Sequence, residues 1–230
     1  MPYTGLVRDT GTLGRYIWLW LFGLSLGWFE GAVVVYLREL YYPDGFRFPV
    51  IIIPTWLAAV ELVREAASLL LLAAGARLAG RYFLQRFAAF MILFGIWDLV
   101  YYAVLKLVLD WPESLATWDI LFLLPVPWVG PVWAPCLISI TLVAVGSYLY
   151  STPHRPRAYR GSDWGIVCTG GLIVIGSFVA EWRAVVEERV PESYPAGLFW
   201  LGFLLALGWF LVAERRQRVA SSVERSRTPS

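Results

Sequence analysis

Histidine is nearly absent: His154 is the single one in 230 residues. A haem held by two histidines or a His-rich zinc site cannot be assembled from it, so neither a metal nor a cofactor is expected. Cysteine is scarce too. Cys136 and Cys168 fall near opposite ends of neighbouring apolar runs. That placement speaks against a disulfide, and both are read as small apolar residues. Of the 19 basic side chains, all but Lys106 are arginine. Charge is thin overall, 16% of residues, against about 25% in an ordinary soluble domain. The net charge of +2 makes no case for nucleic acid. There is no G-x-x-x-x-G-K-[ST] phosphate loop and no H-E-x-x-H zinc motif, and no catalytic residue is assigned.

What is abundant is apolar side chain, 59% of the chain. A soluble core of this size could not hide so much, so the solvent must be lipid. A spanning helix needs about 20 mainly apolar residues. Six runs meet that need, near 16–37, 52–76, 87–109, 131–150, 164–182 and 197–213. The first is too long for a signal-peptide core and has no small-residue cleavage site after it, so it should remain as an anchor. The fold class is therefore all-α, a polytopic six-helix membrane bundle, with residues 1–213 as a single transmembrane domain. Residues 214–230 are polar and Arg/Ser-rich, and predict a disordered cytoplasmic tail.

Orientation follows from the loops, because basic residues accumulate on the cytoplasmic side. Arg8 and Arg15 precede the first run, Arg77, Arg81 and Arg86 follow the second, and Arg155, Arg157 and Arg160 follow the fourth. The end of the chain carries Arg215, Arg216, Arg218, Arg225 and Arg227. The alternate loops are acidic or balanced, with Asp110, Glu113 and Asp119 in one and Glu187, Glu188 and Glu192 in another. This alternation predicts both termini in the cytoplasm of a bacterial inner membrane. His154 lies in one of the basic loops, where a solvated or headgroup role is expected.

Residues 111–135 are rich in Trp and hold Pro112, Pro125, Pro127, Pro131 and Pro135. Proline denies this segment a continuous helix, so it should form an interfacial or re-entrant element on the outer side, before the fourth helix. Trp118, Asp119 and Trp128 are the candidates for a lid over a site between the helices.

Ionisable residues inside the apolar runs mark that site. A charge at mid-bilayer costs at least ~2.5–3.5 kcal/mol, so such residues should face the bundle interior and find partners. In the first run Gly23, Gly27 and Gly31 recur every fourth residue, a stripe suited to close helix approach and to a membrane-protein partner. Glu30 lies within about 20° of Gly23 on the helix wheel, so it points to the packed side. In the second run Glu61, Arg64, Glu65 and Ser68 share one face. In the third, Asp98, Tyr102 and Lys106 climb one side in steps of four, with Tyr101 beside them. A phenol can donate to the Asp98 carboxylate, and Lys106 can reach the outer surface. These residues predict one carboxylate-rich cavity opening outward.

The stretch FGIWDLVYYAVLKLVLDWPESLATWDILFLLPVPWVGPVWAP, residues 94–135, resembles a family of multi-span bacterial membrane proteins of unassigned function. The run WFEGAVVVYLRELYYP adds support. The resemblance implies a multi-span fold and carries no activity. Three readings follow from the residues. The first is a site that binds or conducts a small cation, proton or polar ligand from the outer side. The second is a structural or accessory subunit of a membrane complex. The third is an intramembrane enzyme acting on a lipid-like substrate, with Asp98 or a glutamate as general base.

Overall fold

The computed structural model describes residues 10–51, 53–152 and 159–227. Arg8, His154, Arg155 and Arg157 lie outside the described residues. The elements are α1 (Thr10–Tyr41), α2 (Thr55–Ala79), α3 (Phe83–Leu109), β1 (Trp118–Phe122), β2 (Trp128–Pro131), α4 (Trp133–Ser151), α5 (Gly161–Val179), α6 (Trp182–Val186) and α7 (Ala196–Arg227).

Among the described residues, five segments are long and apolar enough to cross a bilayer: Leu13–Tyr41, Phe83–Leu109, Trp133–Ser151, Gly161–Val186 and Ala196–Val219. The second run differs from the other five. Its helix, α2, has 25 residues, about 37 Å of length. Glu61, Arg64, Glu65 and Arg77 leave any 18-residue stretch of it with at least three charges. The six runs of the sequence thus become five apolar spans and one charged helix of spanning length.

Local chemistry sets the ends. Pro43 follows α1, and Pro54 caps α2 at its N-terminus with an extended backbone. Asp110 stops α3 in the left-handed region, φ 51°, which a short polar side chain tolerates. At the start of α5 the Asp163 carboxylate accepts the Arg160 backbone N–H at 2.8 Å. The proline-rich segment becomes a two-stranded hairpin of β1 and β2. After Pro195, α7 runs without a break to Arg227. Residues 214–227, read from the sequence as a disordered tail, therefore continue the last helix. Their Glu, Arg, Gln and Ala are compatible with helix, and polar composition alone does not end one.

The chain folds as two compact units, Met1–Asp119 with Pro131–Pro153, and Ile120–Gly130 with His154–Ser230. In the first unit α3 is the central helix, and its direction relative to its neighbours can be read from the contacts. A Cβ on Gly23 would meet Ile96, one on Gly27 the Trp97 carbonyl oxygen and Val100, and one on Gly31 Val104. Rising numbers pair with rising numbers, so α1 and α3 run parallel. Glu30 pairs with Arg64 while Phe22 lies against Gly75, so α2 runs antiparallel to α1. Gly146 meets Ala88 and Ile92 while Gly95 meets Ser139, so α4 is antiparallel to α3. One end of this unit therefore gathers the C-termini of α1 and α3, the N-termini of α2 and α4, and the first residues of β1. Val35, Tyr102, Val104, Leu105, Trp111 and Val132 are packed there. At the other end Tyr16 donates to Ser147 and Tyr150 donates to the Ala79 carbonyl.

The second unit pairs α5 and α7 antiparallel. They cross at Gly170 and Gly202, where a Cβ on either would stand 2.6–2.7 Å from the other's carbonyl oxygen. Near one end Trp128, Phe178, Tyr194, Phe199 and Phe203 stack in a continuous aromatic column. At the other end Asp163 is buried and accepts from Trp209 Nε1 and Arg216. Tyr159 donates to Glu214 beside it.

Candidate functional site in the first four helices

The ionisable residues singled out in the sequence fall into three hydrogen-bonded groups, where the sequence predicts one cavity. The first joins α1 to α2. Arg64 reaches Glu30 across the helix contact and Glu61 one turn back, the latter at 2.8 Å, and the Ser68 hydroxyl donates to the other Glu30 oxygen at 3.0 Å. Glu65 is buried on the same face of α2. One guanidinium thus serves two carboxylates, Glu30 on α1 and Glu61 on its own helix.

The second group joins α3 to α4. Asp98 accepts the Ser139 hydroxyl proton at 2.7 Å. Ser139 is buried, and Asp98 is half-buried. Among the described residues Asp98 is in no ion pair.

The third group lies at the hairpin end of the unit and centres on Asp119, which is 1% exposed. Arg38 donates to Asp119 Oδ1 at 2.9 Å. The Tyr102 and Tyr101 hydroxyls donate to Oδ2 at 3.1 and 3.4 Å. The Arg38 guanidinium packs against the rings of Trp111 and Phe46, 3.6 and 4.2 Å from their centroids, in the corner formed by the two rings, which meet edge to face. Cation–π contact of this kind suits a desolvated guanidinium whose charge one carboxylate already balances. Its Nη1 is buried and finds no acceptor among the described residues.

Two sequence expectations are corrected here. Tyr102 does not donate to Asp98, one turn below it, because Asp119 of the hairpin takes its proton and Ser139 serves Asp98. Lys106 leaves the site altogether. It pairs with Asp110 at 2.6 Å and donates to the carbonyls of Asp110 and Pro112, closing the C-terminus of α3. The Lys106 hydrogen bond and charge hold the exposed Asp110 carboxyl below its usual range. The glycine stripe lies against α3 of the same chain, the close helix approach that its spacing predicts.

Of the lid candidates, Asp119 belongs to this site. Trp118 is half-buried on β1, and Trp128 lies in the second unit, stacked on Phe178. Both cysteines are free, as read, but Cys168 is exposed on α5. Residues 23–27 spell G-L-S-L-G, the spacing of a nucleophile elbow. They lie inside a continuous helix with no strand before them, so Ser25 is not held on the sharp turn that such a nucleophile needs.

Two participants escaped the sequence reading. Arg38 follows Gly31 by seven residues, within about 20° of it on the helix wheel, so the stripe itself pointed Arg38 at α3. Ser139 had no signal, since one serine in an apolar run announces nothing.

The three groups share a neighbour. Tyr101 lies within electrostatic reach of Asp119, Arg38, Glu30 and Asp98. Chemically the arrangement is a set of buried carboxylates in one half of the bundle. Glu30, Glu61 and Asp119 each have an arginine, and Asp98 has a hydroxyl.

Comparison with known proteins adds no further constraint: no family model, curated protein or solved structure matches the chain.

Proposed function

We propose that this chain is a six-span protein of a bacterial inner membrane, with both termini cytoplasmic. Its first four helices hold a carboxylate site that takes up a small cation, a proton or a polar ligand from the outer side. The six-span reading is supported by the parallel course of α1 and α3. Two parallel spans need a return crossing between them, and α2, antiparallel to both and of spanning length, supplies it. Its charges are tolerable there because they face α1, where Glu30, Glu61 and Arg64 neutralise one another in part. The orientation is supported by Arg15, Arg77, Arg81 and Arg86 at one end of the first unit and Asp110 and Glu113 at the other.

The observation that carries the functional reading is Asp98. An ionised carboxylate within a span, with one hydroxyl and no basic partner, is unstable in lipid. It must receive a positive charge from outside the chain. The test is the unfolding midpoint of the protein in lipid nanodiscs across a pH series and a monovalent-salt series. The wild type shifts in at least one of them by more than D98N does. Equal responses from two folded proteins would remove the reading.

A second reading, an accessory subunit of a membrane complex, draws on Arg64. A self-contained Glu–Arg–Glu bridge suits a packing device as well as a binding site. Stoichiometric co-purification of another membrane protein in mild detergent would favour it.

A further inference from the structure

We propose, resting on the reading above, that the charge Asp98 receives is a proton, carried from the outer face by Asp119 through the Tyr102 hydroxyl, while Arg38 bars metal cations.

Ligand count separates proton from metal. Hard cations take six or more oxygens in most protein sites. Asp98 and Ser139 offer two carboxylate oxygens and one hydroxyl. Among the described residues, no cluster of three or more His, Cys, Asp or Glu could hold a metal ion. A proton needs only one oxygen lone pair.

Placement gives the route. Tyr102 stands one helical turn beyond Asp98 on α3, toward the hairpin, and its hydroxyl already donates to Asp119 at 3.1 Å. Asp98 lies within electrostatic reach of the same hydroxyl. A phenol both donates and accepts, so it can relay without ionising. The step balances. In the structure the Tyr102 hydroxyl donates to Asp119. Once Asp119 is protonated and becomes the donor, the hydroxyl is released to turn toward Asp98, so the Asp119 proton passes to the Tyr102 oxygen as the Tyr102 O–H proton passes to Asp98. Asp119 becomes a carboxylate again, Asp98 becomes a neutral acid, and tyrosine is unchanged. One proton has moved inward.

Arg38 supplies the selectivity. Its guanidinium sits on Asp119, packed against the rings of Phe46 and Trp111, and places positive charge beside the first carboxylate of the relay. A fixed arginine at a constriction raises the barrier to a hydrated cation. A proton arrives on Asp119 by loosening the ion pair, and Arg38 re-pairs when the proton moves on. The other ionisable groups within electrostatic reach of Asp98 are Tyr101 on α3 and Cys136 on α4. Neither is a cation that could take the place of the proton.

The experiment is time-resolved infrared spectroscopy of the full-length protein in phosphatidylcholine nanodiscs after a rapid drop in pH. The wild type gains a protonated-carboxyl band that D98N lacks, and sodium or potassium at fixed pH does not erase it. Y102F reaches the same final amplitude about tenfold more slowly or worse, a modest loss for a positioned proton-transfer group. D119N is slowed likewise and serves if Y102F does not fold. Wild-type rates in both variants overturn the relay. A band erased by sodium or potassium overturns the proton assignment and leaves Asp98 as a cation site. The absence of both a D98-dependent band and a D98-dependent salt effect overturns this inference and the reading beneath it.

Discussion

Arg38 and Asp119 are 81 positions apart in sequence and 2.9 Å apart in space, with side chains 7% and 1% exposed. The pair ties the last turns of α1 to the first strand of the hairpin, and Tyr101 and Tyr102 tie the same carboxylate to α3. A buried pair of this kind contributes little against a well-packed apolar replacement, but removing one partner strands the other. R38A or D119A alone should lower stability by roughly 3–5 kcal/mol. The double replacement R38M/D119L should recover most of that loss. Denaturant unfolding in mild detergent checks both, and additive losses in the double variant would show that the two side chains are not coupled.

Arg64 poses the same question nearer mid-membrane, with two acids in place of one. R64A leaves Glu30 and Glu61 facing each other without a cation. Its stability should fall by roughly 3 kcal/mol or more. The triple variant E30Q/E61Q/R64L should lie close to the wild type. Thermal unfolding of the three proteins side by side reads it directly.

Tyr194 gives a pH dependence outside the spans. Burial raises its phenol from 10.0 to about 12, partly offset by the hydrogen bond with Ser177. The folded state therefore prefers the neutral phenol. The stabilisation is fully present below the unfolded value near 10.0 and is lost as pH rises through about 12. Alkaline titration by phenolate absorbance should show a phenol titrating near 12 that Y194F removes. Y194F should also lose the corresponding step in stability.

The parallel course of α1 and α3 makes a topological prediction. On a background lacking Cys136 and Cys168, R81C and E113C lie at opposite ends of α3, and both native side chains are exposed. An impermeant thiol reagent added to intact cells should label E113C and spare R81C. Labelling of both, or the reverse pattern, would contradict the assigned orientation.

Much of this architecture was legible in the sequence because lipid imposes length and polarity on every span. The runs near 87–109 and 131–150 became α3 and α4 within a few residues, and the prolines of 111–135 marked where helix gives way to strand. The inward turn of Glu30 followed from the glycine stripe, and the Glu61–Arg64 pair from spacing alone. What stayed hidden depends on contacts between distant elements. Periodicity places Asp98 and Tyr102 on one face but cannot tell that Ser139 and Asp119 arrive from elsewhere to claim them. The extra turns of α7 were missed because exposed polar composition fits a helix and a tail equally well.

The account stands or falls on whether positive charge lands on Asp98. The direct measurement is equilibrium uptake by the purified protein, of protons on stepwise acidification in weak buffer and of sodium or potassium at fixed pH, for wild type and D98N side by side. The account predicts that the wild type takes up one more equivalent than D98N, with both proteins folded. Identical uptake curves for protons and for both metal ions would contradict it.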